Sequence, residues 1–137
     1  MYSNDDLTVD ILSIYRDRIN RVLKQFPIKL VSNTTHIIDR LKDRDLNNMD
    51  LRTVLQLLYR TYLPEFIYLA TLEETKRPFK IEIKNEHIII VLSRIDEYKW
   101  KINTVLDPKI HSKHEKTGNY QKYINTDIPL SGDMVKW

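Results

Sequence analysis

The most chemically suggestive segment of the sequence carries a histidine and two arginines at a constant spacing. His36, Arg40 and Arg44 lie four residues apart, and each such step turns an α-helix by only about 40° past a full turn, so the three side chains share one face. An imidazole titrates near neutrality, and guanidinium groups bind phosphate through paired hydrogen bonds. The pattern therefore indicates a phosphodiester site. The alternative is an exposed helix face on which Asp39 and Asp43 pair with nearby cations.

A second group of candidate phosphate ligands lies in the polar tail, at about 109–137. Its members are Lys109, His111, Lys113, His114, Lys116, Tyr120 and Lys122, of which His111, Lys113, His114 and Tyr120 are the predicted RNA or phosphate ligands. His111 and His114 are three residues apart, a spacing that suits a metal ion, but no third ligand is obvious nearby, so we predict no metal site. A phosphate-contacting loop and a merely solvated loop both fit this pattern.

A third group belongs to the predicted strands. Lys80, Lys99 and Lys101 alternate with apolar and aromatic residues, among them Tyr98 and Trp100. Strands with basic and aromatic side chains can hold single-stranded nucleic acid by charge and by stacking. Two alternatives stay open: the lysines could be solvated edge residues that deter aggregation, and Trp100 could belong to the core.

Helices are expected to position the first of these groups. Apolar residues recur at helical spacing through the first half of the chain. The predicted helices span about 5–26, 35–44 and 50–63, with a further helical piece over 65–72. Ser3 followed by Asp6 is typical of a capping box, while Pro27 ends the first helix and Pro64 breaks or kinks the third.

From Phe79 onwards the apolar period changes to two, as in a half-buried strand. The predicted strands span 79–84, 87–95 and 98–106, with a further strand around 120–124. The fold class is therefore α+β, with three to four N-terminal helices followed by a three- to four-stranded antiparallel sheet. We expect a single domain over 1–137, in which the helical half covers about 5–72 and the sheet about 78–125.

Composition excludes several classes of function. The chain has 137 residues and no cysteine, which excludes a disulfide scaffold and thiolate zinc sites. It has only two glycines, too few for a P-loop or a dinucleotide-binding fingerprint. The longest apolar run, Ile88–Leu92, is the length of a strand, and the polar N-terminus has no signal-peptide core. We therefore expect a cytoplasmic protein that needs no cofactor and no membrane.

Positive charge is concentrated late in the chain. Residues 76–122 carry eleven Lys and Arg against six Asp and Glu, a net charge of +5, whereas residues 1–75 carry ten against eleven, a net charge of −1. This asymmetry favours a polyanionic partner.

Within Ser32–Leu46, the order of His36, Arg40 and Arg44 resembles the histidine–arginine helix of the RegB family, sequence-specific mRNA endoribonucleases of T-even phages. That family is itself similar to the bacterial RelE and YoeB toxins. The resemblance implies helices followed by an antiparallel sheet that cradles RNA, with His36 important for cleavage. The family's second histidine has no counterpart, and Tyr59 occupies its place. The candidates to replace it are His87, His111 and His114.

Two hypotheses of different classes follow. The first is an RNA-binding endoribonuclease of phage type that cleaves mRNA through the 2′-hydroxyl without a metal ion. His36 would act as general base or acid, while Arg40 and Arg44 would stabilise the phosphate. The second is a non-catalytic phage protein on the same fold that binds nucleic acid, has a structural role or takes over the host. We expect the partner to be RNA, with the ribosome as a further candidate. We expect the protein to be a monomer or small homo-oligomer in the host cytoplasm.

Overall fold

A computed structural model describes residues 1–72, 79–111 and 121–126 of the protein. Helices occupy most of the first half and strands most of the described residues of the second, so the fold is α+β. In chain order the elements are α1 (Asn4–Leu23), β1 (Lys29–Ser32), α2 (Thr34–Asp43), α3 (Asn48–Leu57), a π-helical turn (Leu58–Tyr62), α4 (Leu63–Thr71), β2 (Lys80–Lys84), β3 (Ile89–Asp96), β4 (Lys99–Leu106), α5 (Pro108–His111) and β5 (Gln121–Asn125).

The five strands form one mixed sheet in the order β1-β4-β3-β2-β5. The antiparallel pairs β2/β3 and β3/β4 agree with the prediction. The purely antiparallel sheet of three to four strands was wrong, because β1 runs parallel to β4 and β5 runs parallel to β2. β1 has only four residues, which is too short to reveal a period of two. The direction of an edge strand depends on its partner and is not encoded in its own hydrophobic pattern.

The predicted capping box at the start of α1 is confirmed. Ser3 Oγ accepts a hydrogen bond from the Asp6 backbone N–H at 3.1 Å, and Asp6 Oδ2 accepts one from the Ser3 backbone N–H at 2.9 Å. Both bonds satisfy N–H groups that have no partner inside the helix. The buried face of α1 then follows helical spacing through Thr8, Ile11, Leu12, Tyr15, Ile19 and Leu23.

The predicted break of the third helix at Pro64 is confirmed, because regular α-helix ends at Leu57 and a new helix begins at Leu63. The chain continues from α3 through the π-helical turn into α4, with Pro64 in the first turn of α4. Proline has no N–H, and its ring clashes with the carbonyl four residues earlier, here that of Arg60. A turn with wider hydrogen-bond spacing accommodates the proline, which is a usual setting for a π-helical segment.

The core lies between the helices and one face of the sheet. It joins residues of α1 to α4 with alternate residues of the strands. Trp100 is 1% exposed, and its ring meets that of Phe66 edge to face, at 5.7 Å between centroids. Trp100 is therefore a core residue and not a stacking platform.

A β-bulge changes which residues of β4 share a face. Strict alternation predicts that Thr104 lies on the same face as Trp100 and Ile102. The register shifts between the pairs Val91–Thr104 and Leu92–Ile102, which leaves Asn103 as the extra residue. Thr104 therefore lies on the opposite face, together with Lys99 and Lys101.

Within the described parts of the chain, none of the helices combines the length and the apolar character that a bilayer-spanning helix needs.

Candidate nucleic-acid interface

The helix that carries His36, Arg40 and Arg44 is held against one edge of β4. A single residue, Asn33, connects β1 to α2, and its backbone N–H donates to the carbonyl of Ile102 at 2.9 Å. The pairing of β1 with β4 ends at Ser32 and Ile102, so the remaining edge of β4 lies next to α2. The sheet therefore determines where the histidine–arginine face of α2 lies.

Arg44 satisfies part of this exposed strand edge. Its Nη1 donates to the carbonyl of Val105, beyond the last residue that β1 pairs with. The Arg44 side chain is half-buried. Its hydrogen bond takes the place of the one that a neighbouring strand would make to this carbonyl. One guanidinium N–H of Arg44 is thus engaged in stabilising the fold and is not offered to a ligand.

Arg40 forms an ion pair on its own helix. Its Nη1 lies 2.7 Å from Asp43 Oδ2, and the two side chains are 35% and 59% exposed. An exposed pair at this spacing is weak, because water and salt screen it. Arg40 could exchange Asp43 for a phosphate at little cost, although its present contact is the one expected of a solvated helix face.

His36 lies in the first turn of α2 and is half-buried. Among the described residues, no hydrogen bond or ion pair engages its imidazole. A core histidine with both nitrogens satisfied would have excluded acid–base chemistry; the environment of His36 leaves both nitrogens available to a ligand.

The predicted lysines come together on the face of the sheet that turns away from the helices. Lys101 pairs across β3 with Ser93, and Ser93 pairs with Lys80 on β2, so the three form one cross-strand row. Lys99 precedes Lys101 by two residues and shares its face. The core members Leu30, Trp100 and Ile102 alternate with these positions on the other face.

Sequence reasoning missed a fourth lysine in this group. Lys29 is directly paired with Lys99 because β1 runs beside β4. β1 was not predicted, so Lys29 was not expected near the other lysines. We call Lys29, Lys80, Lys99 and Lys101 the lysine cluster.

No ion pair joins the lysine cluster to the rest of the described chain, although Asp96 of β3 lies directly opposite Lys99. Among the described residues, none of its four members forms an ion pair. Lys29 and Lys80 are exposed, and Lys99 and Lys101 are half-buried. Like charges on directly paired strand positions, such as Lys29 and Lys99, destabilise a sheet. The cluster is therefore a site where a bound anion would relieve repulsion.

The centre of the same face is closed. Ile89 and Val91 are 2% and 3% exposed, although neither belongs to the core between helices and sheet. At the far side of the face, Lys84 Nζ lies 4.8 Å from the centre of the Tyr123 ring. The exposed lysines of this face, Lys29 and Lys80, therefore lie at the end that carries the lysine cluster.

Of the three candidate replacements for the second histidine, His87 is the one whose side chain the structure describes. His87 lies in the turn between β2 and β3, beside the end of β4, and pairs with Glu86 at 3.1 Å. Tyr59, which stands in the place of the family's second histidine, lies in the π-helical turn. His111 is the last residue of α5, and its side chain is not described. The predicted ligands Lys113, His114 and Tyr120 lie outside the described residues.

Groups of three or more potential metal ligands from His, Cys, Asp and Glu do not occur among the described residues.

Comparison of the chain with protein-family models, with curated proteins and with solved structures gave no match.

Proposed function

We propose that the protein binds RNA through the lysine cluster, at one end of the sheet face that turns away from the helices. The observation that carries this proposal is the side-by-side placement of four lysines from three strands without an ion-pair partner among the described residues. The net charge of +5 over residues 76–122 supports it. A polyanion supplies closely spaced negative charges that a single carboxylate does not.

The salt dependence of binding tests this proposal. Each phosphate contact contributes about 0.7 to the slope of log K against log salt concentration for a single strand. We therefore measure binding of a labelled single-stranded RNA by fluorescence anisotropy. In the double variant Lys99→Ala, Lys101→Ala, the magnitude of the salt slope should be smaller by about 1.4, and binding should be weaker at every salt concentration.

The matched control is Arg52→Ala, which removes one positive charge from the exposed side of α3. We expect its salt slope and affinity to equal those of the unmodified protein. If Arg52→Ala, which removes one charge instead of two, lowered the magnitude of the salt slope by half as much as the lysine variant, attraction would depend only on net charge and the lysine cluster would not be the site.

The second candidate function adds cleavage to binding. It follows the resemblance of the Ser32–Leu46 segment to the RegB family, and one observation favours it: the imidazole of His36 is partly accessible and has no hydrogen-bond partner among the described residues. The substrate's 2′-hydroxyl would attack the adjacent phosphorus and the P–O5′ bond would break, which leaves a 2′,3′-cyclic phosphate and a free 5′-hydroxyl. His36 would take the proton of the 2′-hydroxyl or give a proton to the leaving 5′-oxygen. Arg40, once released from Asp43, would stabilise the negative charge that develops on phosphorus.

Cleavage of a defined mRNA fragment in EDTA, with and without added ribosomes, tests this second function. We expect products that end in a cyclic phosphate, and a loss of rate of about a hundredfold or more in His36→Ala. RNA binding by this variant should be unchanged. Tight binding without any product would leave the protein as a non-catalytic RNA-binding protein of the host cytoplasm.

A further inference from the structure

A mostly apolar groove opens in the helical layer, on the opposite side of the sheet from the lysine cluster. It has a volume of about 400 Å³ and is open to solvent. Its walls come from the C-terminal half of α1 and from the segment that joins α3 to α4. The lining residues are Val22, Tyr59, Arg60, Leu63, Pro64 and Ile67.

The groove owes its shape to the π-helical turn. Tyr59 and Arg60 lie within this turn, and Pro64 follows at the start of α4. A π-helical turn adds a residue to the helix and displaces the side chains that it carries, and such turns are common at functional sites. The groove is therefore built into the helix, not left by incomplete packing of two straight helices.

The rim of the groove is positively charged. Arg60 is exposed on one wall, and Arg18 is exposed one turn before Val22 on the other, next to the ring of Tyr15. Among the described residues, neither arginine forms an ion pair. The neighbouring carboxyl of Glu65 does not neutralise them, and its burial, with no cation to offset it, raises its pKa.

We propose that this groove binds an acidic amphipathic helix of a partner protein. Two apolar side chains one turn apart would enter between Val22 and Ile67, and carboxylates on either side of them would reach Arg18 and Arg60. Aromatic residues and arginines are enriched in protein interfaces, and Tyr59 supplies the aromatic surface here. An RNA strand brings negative charge but no aliphatic side chain for Leu63 and Ile67.

A peptide-display selection tests this proposal directly. The purified protein selects from a library of random helical peptides about four turns long. We expect the enriched peptides to carry apolar residues three or four positions apart and more Asp and Glu than Lys and Arg. The most enriched peptide is then titrated by fluorescence anisotropy. Arg60→Glu and Ile67→Glu should each weaken its binding by about tenfold or more.

Arg52→Glu is the matched control, because it makes the same charge reversal on the exposed side of α3 and should leave the affinity unchanged. Circular dichroism melting of each variant establishes that it folds, and RNA binding through the lysine cluster should persist in all of them. Enrichment of basic or uncharged peptides, or equal binding by Arg60→Glu, would overturn the proposal. So would competition by single-stranded RNA, or a dimer in sedimentation that Ile67→Glu converts to a monomer.

Discussion

At the scale of single residues, similar side chains on α2 have different roles. Arg40 and Arg44 are four residues apart, yet Arg40 pairs with Asp43 in solvent while Arg44 donates to a strand carbonyl. Only His36 of the three is without a polar partner among the described residues. Their common spacing identifies a shared face of the helix, but the neighbouring element determines what each side chain contacts.

This difference predicts unequal effects on stability. Arg44→Ala leaves the carbonyl of Val105, a buried residue, without a donor and should lower the free energy of unfolding by about 1 to 3 kcal/mol. Arg40→Ala removes only an exposed ion pair and should change it by about 0.5 kcal/mol or less. Urea unfolding of the two variants measures both values. Equal values would mean that Arg44 does not support the edge of β4.

At the scale of secondary-structure elements, the short strand β1 is stabilised on both of its edges. One edge pairs with β4, and the other lies against α1. Asn20 of α1 accepts from the Leu30 backbone N–H and donates to its carbonyl, both at 2.8 Å. The side-chain amide thus takes the place of a neighbouring strand and holds the edge of the sheet to the helical layer.

Loss of this amide should destabilise the protein strongly. Asn20→Ala leaves an N–H and a carbonyl of Leu30 without partners, which should cost about 2 to 3 kcal/mol. Because Lys29 precedes Leu30, the variant should also weaken RNA binding through the lysine cluster. Arg21→Ala, on the exposed side of the same helix, is the control and should change neither urea unfolding nor RNA anisotropy. A stable variant that retained full RNA binding would contradict this role of Asn20.

At the scale of the whole molecule, one apolar core separates two surfaces of different character. The lysine cluster lies on the face of the sheet away from the helices, and the apolar groove lies on the helical layer. The core between them includes the contact of Phe66 with Trp100. Protein interiors are closely packed, so each layer holds the other in place.

Phe66 is the aromatic residue that joins the two layers in this contact. Phe66→Ala should lower the free energy of unfolding by about 3 to 5 kcal/mol, because it removes a fully buried ring and leaves a cavity. Phe66→Leu keeps much of the volume and should cost about 1.5 kcal/mol or less. Thermal unfolding followed by circular dichroism measures both. Similar values for the two variants would indicate that the site collapses around the missing ring.

Much of the fold was predictable because local patterns carry it. The capping box at Ser3 follows from a serine and an aspartate three residues apart. A period of 3.6 predicts the buried face of α1, and a period of 2 predicts the strands β2, β3 and β4. The lysines of β2 and β4 were placed on strands for the same reason. Their common face was correctly expected for Lys99 and Lys101, which are two residues apart.

Tertiary structure alone decided the remaining features. The four residues of β1 have no readable period, yet their pairing with β4 brings Lys29 beside Lys99 and completes the lysine cluster. The bulge at Asn103 moves Thr104 to the opposite face, and the end of β1 leaves a carbonyl of β4 that Arg44 satisfies. Apart from β1, the π-helical turn and the short helix α5, the sequence by itself determined which of the described residues form helices and strands, because those preferences are local. Which residues meet depends on strand order and direction, which arise from contacts between residues far apart in the chain.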